Sequence, residues 1–170
     1  MQTALQWAEE VEYRVQIHLA HLYLAQAQLQ TGLVDSGLGT AVTAIKLAQK
    51  TGDRWSEAVA LRTLAELSIA SARPDWQQIE TNLIRSMHLL RQIRARPDLA
   101  RTYLSLRRLY DRAGQTAWAV DCHFRATTIY EELGMKAELS IAQGRPGGER
   151  TGAVVIPGLA LSGPNEPREK

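Results

Sequence analysis

Apolar residues recur at spacings of three and four from Leu99 to Gly134. Leu99, Tyr103, Leu106 and Tyr110 form one stripe, and Trp118, Cys122, Ile129 and Leu133 form a second. Such spacing places side chains on one face of a helix. Ala113-Gly114-Gln115 separates the stripes, and glycine tolerates the positive φ common just past a helix end. Gly134 closes the second run in the same way. Ala119 and Ala126 are small where two helices must approach closely. The stretch predicts two amphipathic helices packed as a pair.

Sliding the chain over itself extends the pattern. At a shift of 82 residues, Leu24 and Gly32 fall on Leu106 and Gly114, while Ala44, Leu47 and Gly52 fall on Ala126, Ile129 and Gly134. That shift is two periods of 41, so an intermediate copy belongs near residue 60. There Arg62-Thr63-Leu64 mirrors Arg101-Thr102-Tyr103, Leu67 mirrors Leu106, and Arg85-Ser86 mirrors Arg125-Ala126. Trp7-Ala8 and Arg14 echo Leu47-Ala48 and Arg54 at a shift of 40. The periodicity predicts helices over 2–12, 14–30, 37–51, 54–72, 75–94, 98–113 and 116–133, with a further one starting at 136–142. Thr31-Gly32 and Thr51-Gly52 punctuate the first copy. Arg73-Pro74-Asp75 breaks the second, with proline preset for the first turn of the helix that follows. No stretch before residue 144 alternates as a strand would.

The expected fold is all-α, a right-handed α-solenoid of antiparallel helix hairpins with a period of 40 to 41 residues over 1–142. Its units are a partial repeat at 1–13, repeats at 14–53, 54–95 and 96–134, and the start of a further helix at 135–142. The array opens inside the second helix of a pair and closes at the start of another, as though cut from a longer one or covered at its ends. Uncapped solenoid ends expose apolar surface, so homo-oligomerisation through them is a further expectation. From 143 to 170 glycine and proline dominate without periodicity, which predicts a flexible tail. Its apolar stretch AVVIPGLAL has two readings, coil or a segment that docks on a partner or on the chain's own repeats.

Composition narrows the class. With 45% hydrophobic and 22% charged residues and a net charge of +2, the chain is neither a disordered acidic tail nor a broadly basic nucleic-acid binder. Cys122 is alone, which excludes an internal disulfide and a cysteine-based zinc cluster. The N-terminal MQTALQWAEEVEYR lacks a basic start and an apolar run, so no secretory signal is expected. The most apolar helical run, Val15 to Leu29, is interrupted by Gln16, His18, His21, Gln26 and Gln28, and no membrane span is expected. The expected compartment is the cytoplasm.

In the third unit, Tyr103, Leu106-Arg107, Tyr110, Gly114, Ala119, His123 and Ala126 follow the landmarks of a tetratricopeptide repeat, which the unit resembles. Arg107 stands where that family has glycine, His123 where it has an aromatic, and no proline closes the unit. The first unit keeps Leu24-Ala25, Gly32 and Ala44 with Gln28 in place of tyrosine, and the middle unit is the most divergent. The period exceeds the roughly 34 residues of the standard repeat. Longer repeats of this style are similar to the C-terminal helical regions of large bacterial signalling ATPases and regulators, the STAND-type activators among them. That resemblance implies a non-enzymatic module binding a protein or peptide, or a sensor region of such an ATPase.

The resemblance also implies which positions line a concave groove: the second, fifth, ninth, twelfth and thirteenth of each first helix. They are Leu19, Leu22, Gln26, Leu29 and Gln30, then Arg62, Ala65, Ile69, Ala72 and Arg73, then Arg101, Leu104, Arg108, Asp111 and Arg112. The groove would be apolar toward the N-terminus and cationic toward the C-terminus. Helix-borne arginines suit carboxylates, because the guanidinium fork binds them bidentately, so the expected partner is a protein or an acidic or C-terminal peptide. The alternative is that each arginine is solvated and paired with a nearby acid.

Other chemistry has little support. Gly32 to Thr40 is spaced somewhat like a phosphate loop, but no lysine precedes the hydroxyl residue and no strand leads into it. A helix-to-helix turn with small residues at a packing crossover is the expected reading. His18 and His21 share one face without acidic or cysteine partners, so they are expected to pack rather than hold a metal. His88 and His123 are isolated. Asp121, Cys122 and His123 are consecutive, so on a helix they point about 100° apart and cannot form a relay. No cofactor, no catalytic group and no nucleic acid are expected, since helical RNA readers need matched polar residues from unit to unit.

Overall fold

The computed structural model describes residues 2–144 and Gly163, with side chains described from Gln16 to Gln143. The described residues form seven helices and no strand. They are α1 (Gln2–Gln30), α2 (Val34–Thr51), α3 (Arg54–Ala70), α4 (Trp76–Gln92), α5 (Arg96–Arg112), α6 (Thr116–Glu132) and α7 (Lys136–Gly144). The tail stretch AVVIPGLAL and the echo at Trp7, Ala8 and Arg14 lie outside the described side chains.

Two boundaries differ from expectation. The helices expected at 2–12 and 14–30 are one continuous helix, α1. Glu12-Tyr13-Arg14 contains neither glycine nor proline, so nothing there interrupts the backbone ladder. Helix α2 starts at Val34 and takes Gly37 and Gly39 into its first turns. An alanine methyl at Gly37 would lie 2.7 Å from a Leu67 methyl carbon and 3.4 Å from Gln28 Cβ, whereas one at Gly39 would meet nothing. Gly37 is the small residue at a helix crossover, as expected for this loop-like stretch.

Five of the six turns close in one way. At Gly32, Gly52, Gly114 and Gly134 the backbone takes a positive φ, and the next N–H reaches back five residues, as in Gln115 to the Tyr110 carbonyl at 2.9 Å. This is a Schellman closure, and it satisfies carbonyls that the helix end leaves open. The turn after α4 uses Arg94 at φ +56, with Ala95 N–H donating to the Leu90 carbonyl at 2.9 Å. The α3–α4 turn is different. There Asp75 caps α4 by accepting from Gln78 N–H at 3.0 Å, and Pro74 precedes the cap instead of entering the helix.

Each helix packs on its chain neighbours, and α3 also packs on α1 and on α5. Helices α1, α3 and α5 thus form a layer, with α2 and α4 packed between its members and α6 against α5. The largest apolar cluster joins α3 to α6 through Leu83, Met87, Leu90, Tyr103, Leu106 and Tyr110, with Cys122, Ala126 and Tyr130 closing it from α6. Covering a leucine fully contributes about 1.5–3 kcal/mol. Ala119 and Ala126 are buried, as close helix approach requires. A second cluster joins α1, α2 and α3 through Leu22, Ile45, Val59 and Leu61. No helix among the described residues is long and apolar enough to cross a membrane.

Candidate binding cleft between α3 and α5

The α3–α5 step leaves a cleft of about 200 Å³ lined by Arg62, Glu66, Arg101, Leu104, Ser105 and Arg108. Arg62 and Glu66 stand one turn apart on α3. The α5 residues stand at spacings of three and four, so they share one face over two turns, about 10 Å of helix. Three guanidinium groups and one carboxylate therefore face a single opening.

The arginines differ in how far they are committed. Arg62 is 7% exposed, and its Nη1 donates to the Asp98 carbonyl at 3.1 Å and to Oδ1 at 3.4 Å. Trp55 Nε1 donates to Asp98 Oδ2 at 2.9 Å, and Arg101 Nη1 to Oδ1 at 3.2 Å. Asp98 stands in the first turn of α5, where a carboxylate also complements the helix dipole. Burial of two charges is tolerated here because each is paired and hydrogen-bonded. Arg101 is otherwise exposed and keeps donors to spare. Arg108 is exposed and has no polar partner among the described residues. Ser105 Oγ donates to Glu66 Oε1 at 2.5 Å, which fixes the carboxylate against the wall. Tyr130 lies buried close to these groups; burial pushes its hydroxyl up, and the Arg101 and Arg62 charges work against that shift.

Four of the fifteen expected groove residues, Arg62, Arg101, Leu104 and Arg108, are brought together by this cleft. The others lie elsewhere. Leu22 is 0% exposed inside the α1–α2–α3 cluster, and Leu19 packs against the same cluster. Leu22 is therefore a core residue, because α2 and α3 both close over its face of α1. Gln26 is half-buried, Ile69 packs against the main core, and Arg73 and Arg112 are exposed without lining the cleft. Glu66, Ser105 and Asp98 went unread in the sequence. The helical period offers a signal for the first two, since each follows a predicted arginine by four residues; Asp98 has only its place just after Pro97 to mark it.

His18 and His123 make structural contacts. His18 is 3% exposed and meets Asp53 Oδ2 through Nε2 at 2.8 Å, while its Nδ1 is buried without a partner. Asp53 caps α3, accepting from Ser56 N–H at 3.0 Å and Ser56 Oγ at 2.7 Å. His123 Nδ1 lies 3.0 Å from Arg107 Nη1, and burial, then the arginine charge, lower its pKa. Cys122 is fully buried. Among the described residues no group of three His, Cys, Asp or Glu could hold a metal ion. No protein-family model matches the chain, and no characterised protein is significantly similar to it.

Proposed function

We propose that this chain is a non-enzymatic interaction module, a cytoplasmic tetratricopeptide-like solenoid that binds an acidic peptide segment of a protein partner. The antiparallel helix pairs are read as a right-handed stack of roughly 40-residue units, in keeping with the repeated turns and the layered packing. The observation that carries the reading is the set of arginines on the α3–α5 cleft, above all the unpaired Arg108 two turns from Arg101. A carboxylate entering the cleft would accept from Arg108 and from the spare donors of Arg101, with Leu104 as the apolar contact beside it. Ion-pair hydrogen bonds of this kind contribute about 1.5–3 kcal/mol each.

The test is titration of the full chain with a panel of synthetic acidic peptides, each with a free or an amidated C-terminus. We expect Arg108→Glu and Arg101→Glu to weaken binding by about tenfold to a hundredfold, in line with loss of one such contact. Arg73→Glu and Arg112→Glu, which lie off the cleft, leave affinity unchanged. Peptide binding indifferent to Arg101→Glu and Arg108→Glu would sink the assignment.

A further inference from the structure

Gly163 is buried, far from the helices in sequence, and touches two of them, α4 and α6. Its N–H donates to Glu80 Oε1 at 3.0 Å. The same oxygen accepts from Tyr110 Oη at 3.0 Å. Glu80 itself is 4% exposed, and Tyr110 is fully covered. Tyr110 in turn meets Trp118 edge to face, with ring centroids 5.3 Å apart. The backbone of Gly163 rests on the indole. A methyl group there would lie 2.5 Å from Trp118 Cη2 and Cζ2 and 2.9 Å from Cε2. The φ of Gly163 is +73°, in the region that side chains disfavour. Two independent constraints, contact and dihedral, thus select glycine.

The notch draws on Glu80 near the start of α4, Tyr110 near the end of α5 and Trp118 at the start of α6. A hollow of about 330 Å³, lined by Gly114 to Trp118, adjoins it through the indole. Gln115 lines that hollow, and its buried side-chain oxygen has no donor. A buried carboxylate that accepts a backbone N–H, an aromatic floor and an unsatisfied acceptor nearby are the features of a site for peptide backbone.

We propose that the Glu80–Tyr110–Trp118 notch is a glycine-selective peptide-docking site, and that its occupant is the chain's own C-terminal segment, bound through Gly163. The tether from Gly144 is short, so the segment is presented to the notch at an effective concentration in the millimolar range. Weak docking is then enough to keep the site filled. The contact also covers the Trp118 edge, which would otherwise be apolar surface at the α5–α6 turn. This inference is independent of the arginine cleft.

The test uses the full chain and its Gly163→Val variant, whose substitution lies outside the helices and leaves their packing intact. We expect the Gly163 amide of the wild type to exchange at least about tenfold more slowly than in a synthetic peptide of residues 157–168. In Gly163→Val the Trp118 indole resonance shifts. The labelled wild-type peptide then binds the vacated variant about tenfold more tightly than it binds the wild type, whose site is filled in cis. The same peptide carrying valine at the glycine position binds neither. An unprotected Gly163 amide, an unshifted indole, or equal peptide binding to both chains would overturn the proposal. So would binding of the valine peptide, and protection that grows with protein concentration would transfer the occupancy to a second copy.

Discussion

At the α1–α3 step, His18 Nε2 meets the Asp53 carboxylate at 2.8 Å; at the α3–α5 step, Arg62 and Trp55 meet that of Asp98. In both, an acid at the start of the later odd-numbered helix is held by a buried base on the earlier one. The separations, 35 and 36 residues, are nearly the same. The chemistry is not. Imidazole has two ring nitrogens, and the second one of His18 is left buried without a partner. Guanidinium has five donors, so Arg62 reaches both the Asp98 carbonyl and its carboxylate. Arg101, on α5, donates to the same carboxylate at 3.2 Å, yet its side chain is 48% exposed. Its guanidinium is left exposed toward the cleft. Of the two arginines on Asp98, the buried one is structural and the exposed one keeps donors available to a ligand.

The largest expected effect tests that contrast. Arg62→Ala leaves the Asp98 carboxylate buried with fewer donors, and we expect a loss of about 3 kcal/mol in urea denaturation. Arg101→Ala, at the exposed arginine on the same carboxylate, changes stability by no more than about 0.5 kcal/mol. Equal losses would break the distinction between the two arginines.

A smaller effect belongs to the α1–α3 step. Asp53→Ala removes the cap of α3 and the partner of His18, with an expected cost of about 1–2 kcal/mol at pH 7. Burial alone would raise the Asp53 carboxyl, but the Ser56 side-chain and backbone hydrogen bonds and the His18 contact outweigh it. The net pKa lies below the ordinary 3.8. A carboxyl lowered in the folded state contributes its full stability above the unfolded value and loses it as pH falls through the folded one. The gap between wild type and Asp53→Ala should therefore narrow on acidification below pH 3.8, as denaturation curves at neutral and acid pH will show.

The smallest effect concerns how closely α2 sits on the same step. Gly37→Ala forces the Leu67 side chain aside and is expected to destabilise the protein by about 1 kcal/mol. Gly39→Ala, two residues on in open space, is expected to stabilise it by about 0.5–1 kcal/mol through helix propensity. Melting temperatures moving in the same direction for both would show that the Gly37 crossover is not tight.

Helices α2 to α7 were legible because apolar spacing and glycine punctuation are local signals. The same signals misled where local punctuation was absent. The join at Tyr13 looked like a boundary by analogy with the other units, yet no residue there breaks a helix. The turn between α4 and α5 was expected, but its closure at Arg94 was not, since a non-glycine residue at positive φ carries no compositional mark. Of the candidate site, Arg101, Leu104 and Arg108 were read from one helical face. Leu22 was placed in a groove because register alone does not reveal which neighbour covers a face. Glu66 and Ser105 met only when α3 and α5 came together across 39 residues.

The sequence by itself determined an all-helical chain, the order of its helices, most of its turns and the arginine face of α5, because each depends on neighbours within a turn or two. Only the tertiary structure decided that Arg62 is buried on Asp98 while Arg101, on the same carboxylate, stays exposed to the cleft, since that depends on which helices pack around each. It also decided that Gly163 belongs against Glu80 and Trp118. That contact joins residues 83 positions apart and is governed by the space beside an indole ring.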